Sequence, residues 1–203
     1  MHDVLREPAA LADQKSTICI RIASLTDRLP DAERQRLIDS LDDMATAAEG
    51  FWPGNRMAGA DTVLSVAIDA IALDEAEAAV IRLAHSSDQQ RVNAARLLGY
   101  GHCPTMQPML THMIRDTHPP VRSHAARSIG MIAACTPNPL TETVAQHITE
   151  ADGRLLPLAL LAGLSHDSPP LNHIGEAAAA QLQDHRSAHV RRRARLLLGL
   201  RTG

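Results

Sequence analysis

Apolar residues recur along this chain at the spacing of helical faces. Ile18, Ile22, Leu25 and Leu29 fall at i, i+4, i+7 and i+11, one stripe of an amphipathic helix that Pro30 ends. A partner helix is expected over about 31–49, with Leu37, Ile38, Leu41, Met44, Ala45 and Ala48 inward and Gly50 as its C-terminal cap. Asn55 opens a helix to about Leu73 that carries Val63, Leu64, Ala67, Ile68 and Ile71. Asp74 and Glu77 form a capping box for another, with Val80, Ile81 and Ala84 on its apolar side. Further helices are predicted from Ser87 or Asp88 to Gly99, from near Pro104 with Met106, Met109, Leu110 and Met113 on one face, from Pro119 to about Ala133, and from Leu140 to Glu150. Asp152 caps the next, in which Pro157 falls within or near the first turn, where its missing N–H is tolerated. Ser168, Pro169 and Pro170 introduce a helix through Gln183, and Ser187 caps the last, which ends at Gly199. No stretch reads as a convincing strand, so the expected fold class is all-α.

One segment recurs. In PPVRSHAARSIGMI, Pro119 to Ile132, the residues Pro120, Val121, Arg122, Ala125, Ala126, Ile129 and Gly130 set a pattern. QRVNAARLLG repeats it with Arg91, Ala94, Ala95, Leu98 and Gly99, and VRRRARLLLG with Val190, Arg191, Ala194, Leu198 and Gly199. A degenerate copy, Arg154 to Gly163, keeps Ala159 and Gly163. The glycines Gly99, Gly130, Gly163 and Gly199 stand 31, 33 and 36 residues apart, a period that marks stacked helical units. Each is expected to end its helix, Gly130 with a positive φ.

These copies resemble the HEAT-repeat family in its short bacterial form, over roughly residues 61–200, with a spacing below the ~40–47 residues of longer units. The resemblance implies a right-handed α-solenoid of helix pairs over 56–203, with residues 1–50 as an atypical N-terminal hairpin or cap. It implies a non-catalytic scaffold whose second helices line a concave face for a protein partner. Arg91, Arg122 and Arg191 would then hold the fold, packing along the turns and pairing with Asp88 or Asp116. HEAT-like DNA glycosylases, which use aromatic and acidic residues in a basic groove, are a weaker likeness, because only Phe51, Trp52 and Tyr100 are aromatic here.

Composition narrows the chemistry. Apolar residues make up 45% of the 203 but aromatics only 1%, so the core must be aliphatic. Cys19, Cys103 and Cys135 are odd in number and form no CxxC, which fits reduced, buried thiols. The eleven histidines lack ligand spacing: no His-Glu dipeptide occurs, and His185 and His189 straddle the Ser187 cap. No nucleophile or phosphate-loop motif is present, so no catalytic, cofactor or metal residue is assigned. No apolar run approaches a membrane span, the N-terminus lacks the pattern of a signal peptide, and a cytosolic location is expected.

Charge separates the two halves. Residues 1–100 carry 10 basic and 16 acidic groups, and residues 101–203 carry 10 and 7. No acidic residue follows Arg186 to offset Arg192, Arg193 and Arg195. On a helical wheel Val190, Ala194 and Leu197 gather on a core face opposite these arginines, while Leu196 and Leu200 lie beside Arg193 on a flank that a following helix would normally cover. Arg192, Arg193 and Arg195 are therefore the candidate partner-binding residues. Trp52, in the boundary segment FWPGNR, is a further candidate as an aromatic anchor, against its reading as a packed hinge. The partner expected is a protein; nucleic acid on the basic half is the alternative, and a second copy of the chain on the C-terminal helix is another.

Overall fold

Helix is the regular element throughout the described residues, which in this computed structural model are 31–49, 73–100, 107–135, 139–150, 153–165 and 171–199. The first predicted helix, Trp52, Cys19, Cys103 and Leu200 lie outside them. The chain forms two compact units, 1–101 and 102–203. None of the described helices is long and apolar enough to cross a membrane.

In the first unit α1 (Asp31–Glu49), α2 (Leu73–Ala84) and α3 (Asp88–Tyr100) pack against one another. Their core is Ile38, Leu41 and Ala45 from α1, Ala79 and Val80 from α2, and Val92, Ala94, Leu97 and Leu98 among others from α3. Ser87 and Gln90 make a reciprocal capping box: the Gln90 N–H donates to Ser87 Oγ and the Ser87 N–H to Gln90 Oε1, each at 3.4 Å. α3 is buried on nearly all sides, so its two buried polar residues, Asn93 and Arg96, must find partners inside the protein. Both find them on α1. Asn93 Nδ2 donates to Asp42 Oδ1 at 2.6 Å and to Thr46 Oγ1 at 2.7 Å, Gln90 Nε2 donates to Asp42 Oδ2 at 3.2 Å, and Arg96 Nη1 donates to the Ala45 carbonyl.

The second unit has two rows. The first helices of the pairs, α5 (Pro119–Cys135), α7 (Leu155–Leu164) and α9 (Ala188–Leu197), pack in sequence. The second helices, α4 (Gln107–Met113), α6 (Pro139–Glu150) and α8 (His173–Leu182), pack in the same order. Met113 and Leu110 are buried, so this part of the methionine stripe is core. Pro157 sits buried in the first turn of α7, as its spacing predicts.

The repeat glycine corrects the sequence reading. Gly130 lies inside α5, and among the described residues only Gly153 and Gly199 take a positive φ, 118° and 69°. At Gly130 the need is space. A Cβ there would overlap the Leu160 carbonyl oxygen and stand 2.9 Å from Leu164 N; one on Gly163 would overlap the Arg127 carbonyl oxygen and stand 2.9 Å from Gly130 Cα. α5 and α7 thus cross backbone on backbone, each offering a glycine to the other. The expected left-handed cap occurs only in the last copy, where α9 ends at Leu197 and the Gly199 N–H bonds the Leu196 carbonyl.

A second staple joins α5 to α8. Asn172 Oδ1 accepts from Ile174 N and Gly175 N at 3.0 and 3.1 Å, while Nδ2 of the same side chain donates to the Ala133 and Ala134 carbonyls at 2.6 and 3.0 Å. One side chain therefore caps the start of α8 and satisfies the end of α5. Asn172→Ala should cost about 2–3 kcal/mol, the sum of a lost cap and the lost carbonyl donors. Asn172→Asp, an equally good cap that cannot donate, should lose only the donor share, about 1–2 kcal/mol in urea unfolding. Full stability of the Asp variant would show that the α5 contact contributes nothing.

Candidate functional site

Three of the turns that introduce repeat helices share one arrangement. Arg122 Nη1 donates to the Asp116 and Thr117 carbonyls at 2.6 and 2.9 Å, and Arg191 Nη1 to the His185 and Arg186 carbonyls at 2.8 and 2.9 Å. Arg91 reaches the Ser86 carbonyl at 3.2 Å and pairs with Asp88 at 2.9 Å. The turn itself is closed by a side-chain acceptor: Asp116 Oδ1 takes the His118 N–H at 2.8 Å, and in the last copy His185 Nδ1 takes the Ser187 N–H at 3.0 Å. The pairing expected between Arg91 and Asp88 is present, and the repeat arginines are fold-holding residues.

α9 presents the remaining basic residues. Val190 and Ala194 are fully buried, whereas Arg192 and Arg193 are exposed and Leu196 is 53% exposed. Beside α9 runs α7, and the two enclose an open groove of about 610 Å³. Leu158, Ala162 and Leu196 are its apolar lining; Arg154, Arg192 and Arg193 are its cationic lining, with His189 between them. Arg193 is fixed in place, its Nη2 donating to Ser165 Oγ at 2.7 Å, and Ser165 Oγ in turn donates to the Leu161 carbonyl at 3.0 Å. Among the described residues no carboxylate is paired with Arg154, Arg192 or Arg193. Arg195 is half-buried and is not part of the groove lining.

The structure thus brings Arg192 and Arg193 together with residues that sequence reasoning did not connect to them, Arg154, Leu158 and Ala162. Trp52 lies outside the described residues. A smaller cavity between α4, α5 and α6, lined by Leu110, Ile129, Ile132 and Val144 among others, has about 10 Å³, space for about one water. Among the described residues no group of three or more His, Cys, Asp or Glu side chains gathers as a metal site would require.

Two rows of helices, stacked pair upon pair and begun by recurring arginine-braced turns, define the second unit as a helical-repeat structure. Residues 76–154 match the family model for HEAT repeats, so the resemblance seen in the copies holds over that segment. No curated protein and no solved structure gives a match. The groove begins where the matched segment ends, at Arg154.

Proposed function

We propose that this chain is a non-catalytic scaffold, a right-handed α-solenoid of HEAT-like pairs that holds a protein partner, with Arg192, Arg193 and Arg195 contributing to the contact. The observation that carries this reading is the α7–α9 groove, where exposed leucine lies beside arginines that, among the described residues, pair with no carboxylate. HEAT repeats commonly serve protein interactions, and the match over residues 76–154 supports the same use here. A helical-repeat surface binds through many modest contacts along rigid elements, without a convergent catalytic set. A cytosolic location goes with this reading.

The test is affinity capture compared between wild type and the triple variant Arg192→Glu, Arg193→Glu, Arg195→Glu, with and without nuclease. Specific protein partners should survive nuclease and disappear with the triple variant, whose helical content stays unchanged by circular dichroism. Partners that vanish with nuclease alone would replace this reading with nucleic-acid binding. Self-association lost in the variant would make the partner a second copy.

A further inference from the structure

We infer that the α7–α9 groove receives an acidic amphipathic helix, a partner segment with apolar side chains on one face and carboxylates along its margins. This rests on the docking reading and names the chemistry of its occupant. Two features of the groove point to it. Its walls are helical stripes: Arg154, Leu158 and Ala162 fall at i, i+4 and i+8 of α7, and His189, Arg192, Arg193 and Leu196 at i, i+3, i+4 and i+7 of α9. Stripes of that length extend for ~10–12 Å, about two turns at 1.5 Å per residue, and leave between them the kind of furrow into which the side-chain ridge of a third helix packs.

The second feature is the combination of lining groups. Leu196 exposes 53% of its surface beside Leu158 and Ala162, so a ligand that offered only anionic groups would leave the apolar lining wet. A purely apolar ligand would add no counter-charge to three guanidinium groups that pair with no carboxylate among the described residues. An amphipathic acidic helix satisfies both, in the manner of apolar anchors laid into a groove with flanking ion pairs. Single-stranded nucleic acid fits less well, because such binders stack bases on large aromatic side chains and the groove lining has no Phe, Tyr or Trp. Arg193, held by Ser165, is pre-positioned for a carboxylate, which lowers the cost of ordering it on binding.

The probe is a fluorescent synthetic peptide of about three helical turns, with Leu at i, i+4 and i+7 and Glu on the flanks. Its binding to the full chain is read by anisotropy. Two control peptides replace Glu by Gln or scramble the order so that the leucines share no face, and a single-stranded oligonucleotide of equal charge is the third control. The Leu-Glu peptide should bind, and both control peptides should bind at least about tenfold more weakly. Arg192→Glu with Arg193→Glu should weaken the Leu-Glu peptide by about tenfold or more and restore binding to a version with Lys in place of Glu. Leu196→Asn, at an exposed position with little effect on melting, should weaken it several-fold. The inference is overturned if the wild type does not bind the peptide, if the variants bind it unchanged, or if the oligonucleotide binds more tightly and ignores Leu196→Asn. Should the peptide fail while the triple arginine variant still loses captured proteins, only the acidic helix is wrong. Retention of those proteins by the triple variant defeats the docking reading itself.

Discussion

Gly130→Val should lower the stability of the protein by about 3 kcal/mol or more, the upper part of the range for overpacking. The Cβ alone falls on the Leu160 carbonyl oxygen and stands 3.0 Å from Gly163 Cα, and backbone cannot swing aside as a side chain does. The helices must separate, and α5 and α7 hold much of the buried core of the second unit, including Val121, Ile129, Ile132, Leu160 and Leu164. At about 2–4 °C per kcal/mol for a chain of this size, the midpoint should fall by about 6–12 °C. Gly163→Ala should have a comparable effect, since its Cβ falls on the Arg127 carbonyl oxygen. Gly175→Ala is the control: its Cβ meets Leu171 Cδ2 at 3.0 Å and Leu164 Cδ2 at 3.4 Å, both the ends of flexible side chains. That change should stay within about 1 kcal/mol of wild type, helped by the better helix propensity of alanine. A Gly130→Val protein that melts with the wild type would mean that the crossing does not exist in solution.

The seam between α1 and α3 supports the second large effect. Asn93→Leu keeps the branching and the number of side-chain heavy atoms but strips Asp42 Oδ1 and Thr46 Oγ1 of their donor within a partly buried interface. Leaving the carboxylate short of a partner should cost about 2–3 kcal/mol, since hydrogen bonds to charged groups exceed neutral ones. Asp42→Ala should cost about 1–2 kcal/mol, because it removes the charged acceptor of the fully buried Asn93 amide and leaves it Thr46 Oγ1 and the residue 42 carbonyl. The double variant should be no worse than the more damaging single one, so that a cycle in urea returns a coupling of at least about 1 kcal/mol. Strict additivity would show that these contacts do not stabilise the folded state.

Much of this helical order was legible because the amphipathic stripes and the repeat copies report the same boundaries. Val121, Ala125, Ala126 and Ile129 are buried as the copy containing them predicts, and Val190 and Ala194 repeat this in α9. The glycine was misread because a glycine near a helix end and one at a helix crossing look identical in one dimension; which neighbour approaches Gly130 depends on residues 30 or more positions away. Arg96 and Arg127 follow the small pair in two copies, and both are buried, a role that charge alone argues against until acceptors from another helix are known. The sequence pattern opens α8 with Ser168, Pro169 and Pro170, whereas its cap is Asn172, and the hold of that side chain on Ala133 and Ala134 leaves no local signal. For the groove, the amphipathic wheel of α9 identified Arg192, Arg193 and the exposed Leu196. The opposite wall, Arg154 to Ala162, was invisible because it lies in the degenerate copy and meets α9 only through packing.

The arginine that braces three of the turns bonds main-chain carbonyls, and a carbonyl is present whatever residue occupies the position. The acceptors belong to Ser86 in one turn, Asp116 and Thr117 in another, and His185 and Arg186 in a third, side chains with little in common. Fold and surface are thereby uncoupled at positions such as Thr117, whereas Asp116 and His185 also close their turns with side-chain acceptors and must be kept. Substitutions at the uncoupled positions can alter the charge or shape shown to solvent while the guanidinium continues to grip the same atoms, so they are natural places to graft new recognition chemistry without redesigning the helices around it.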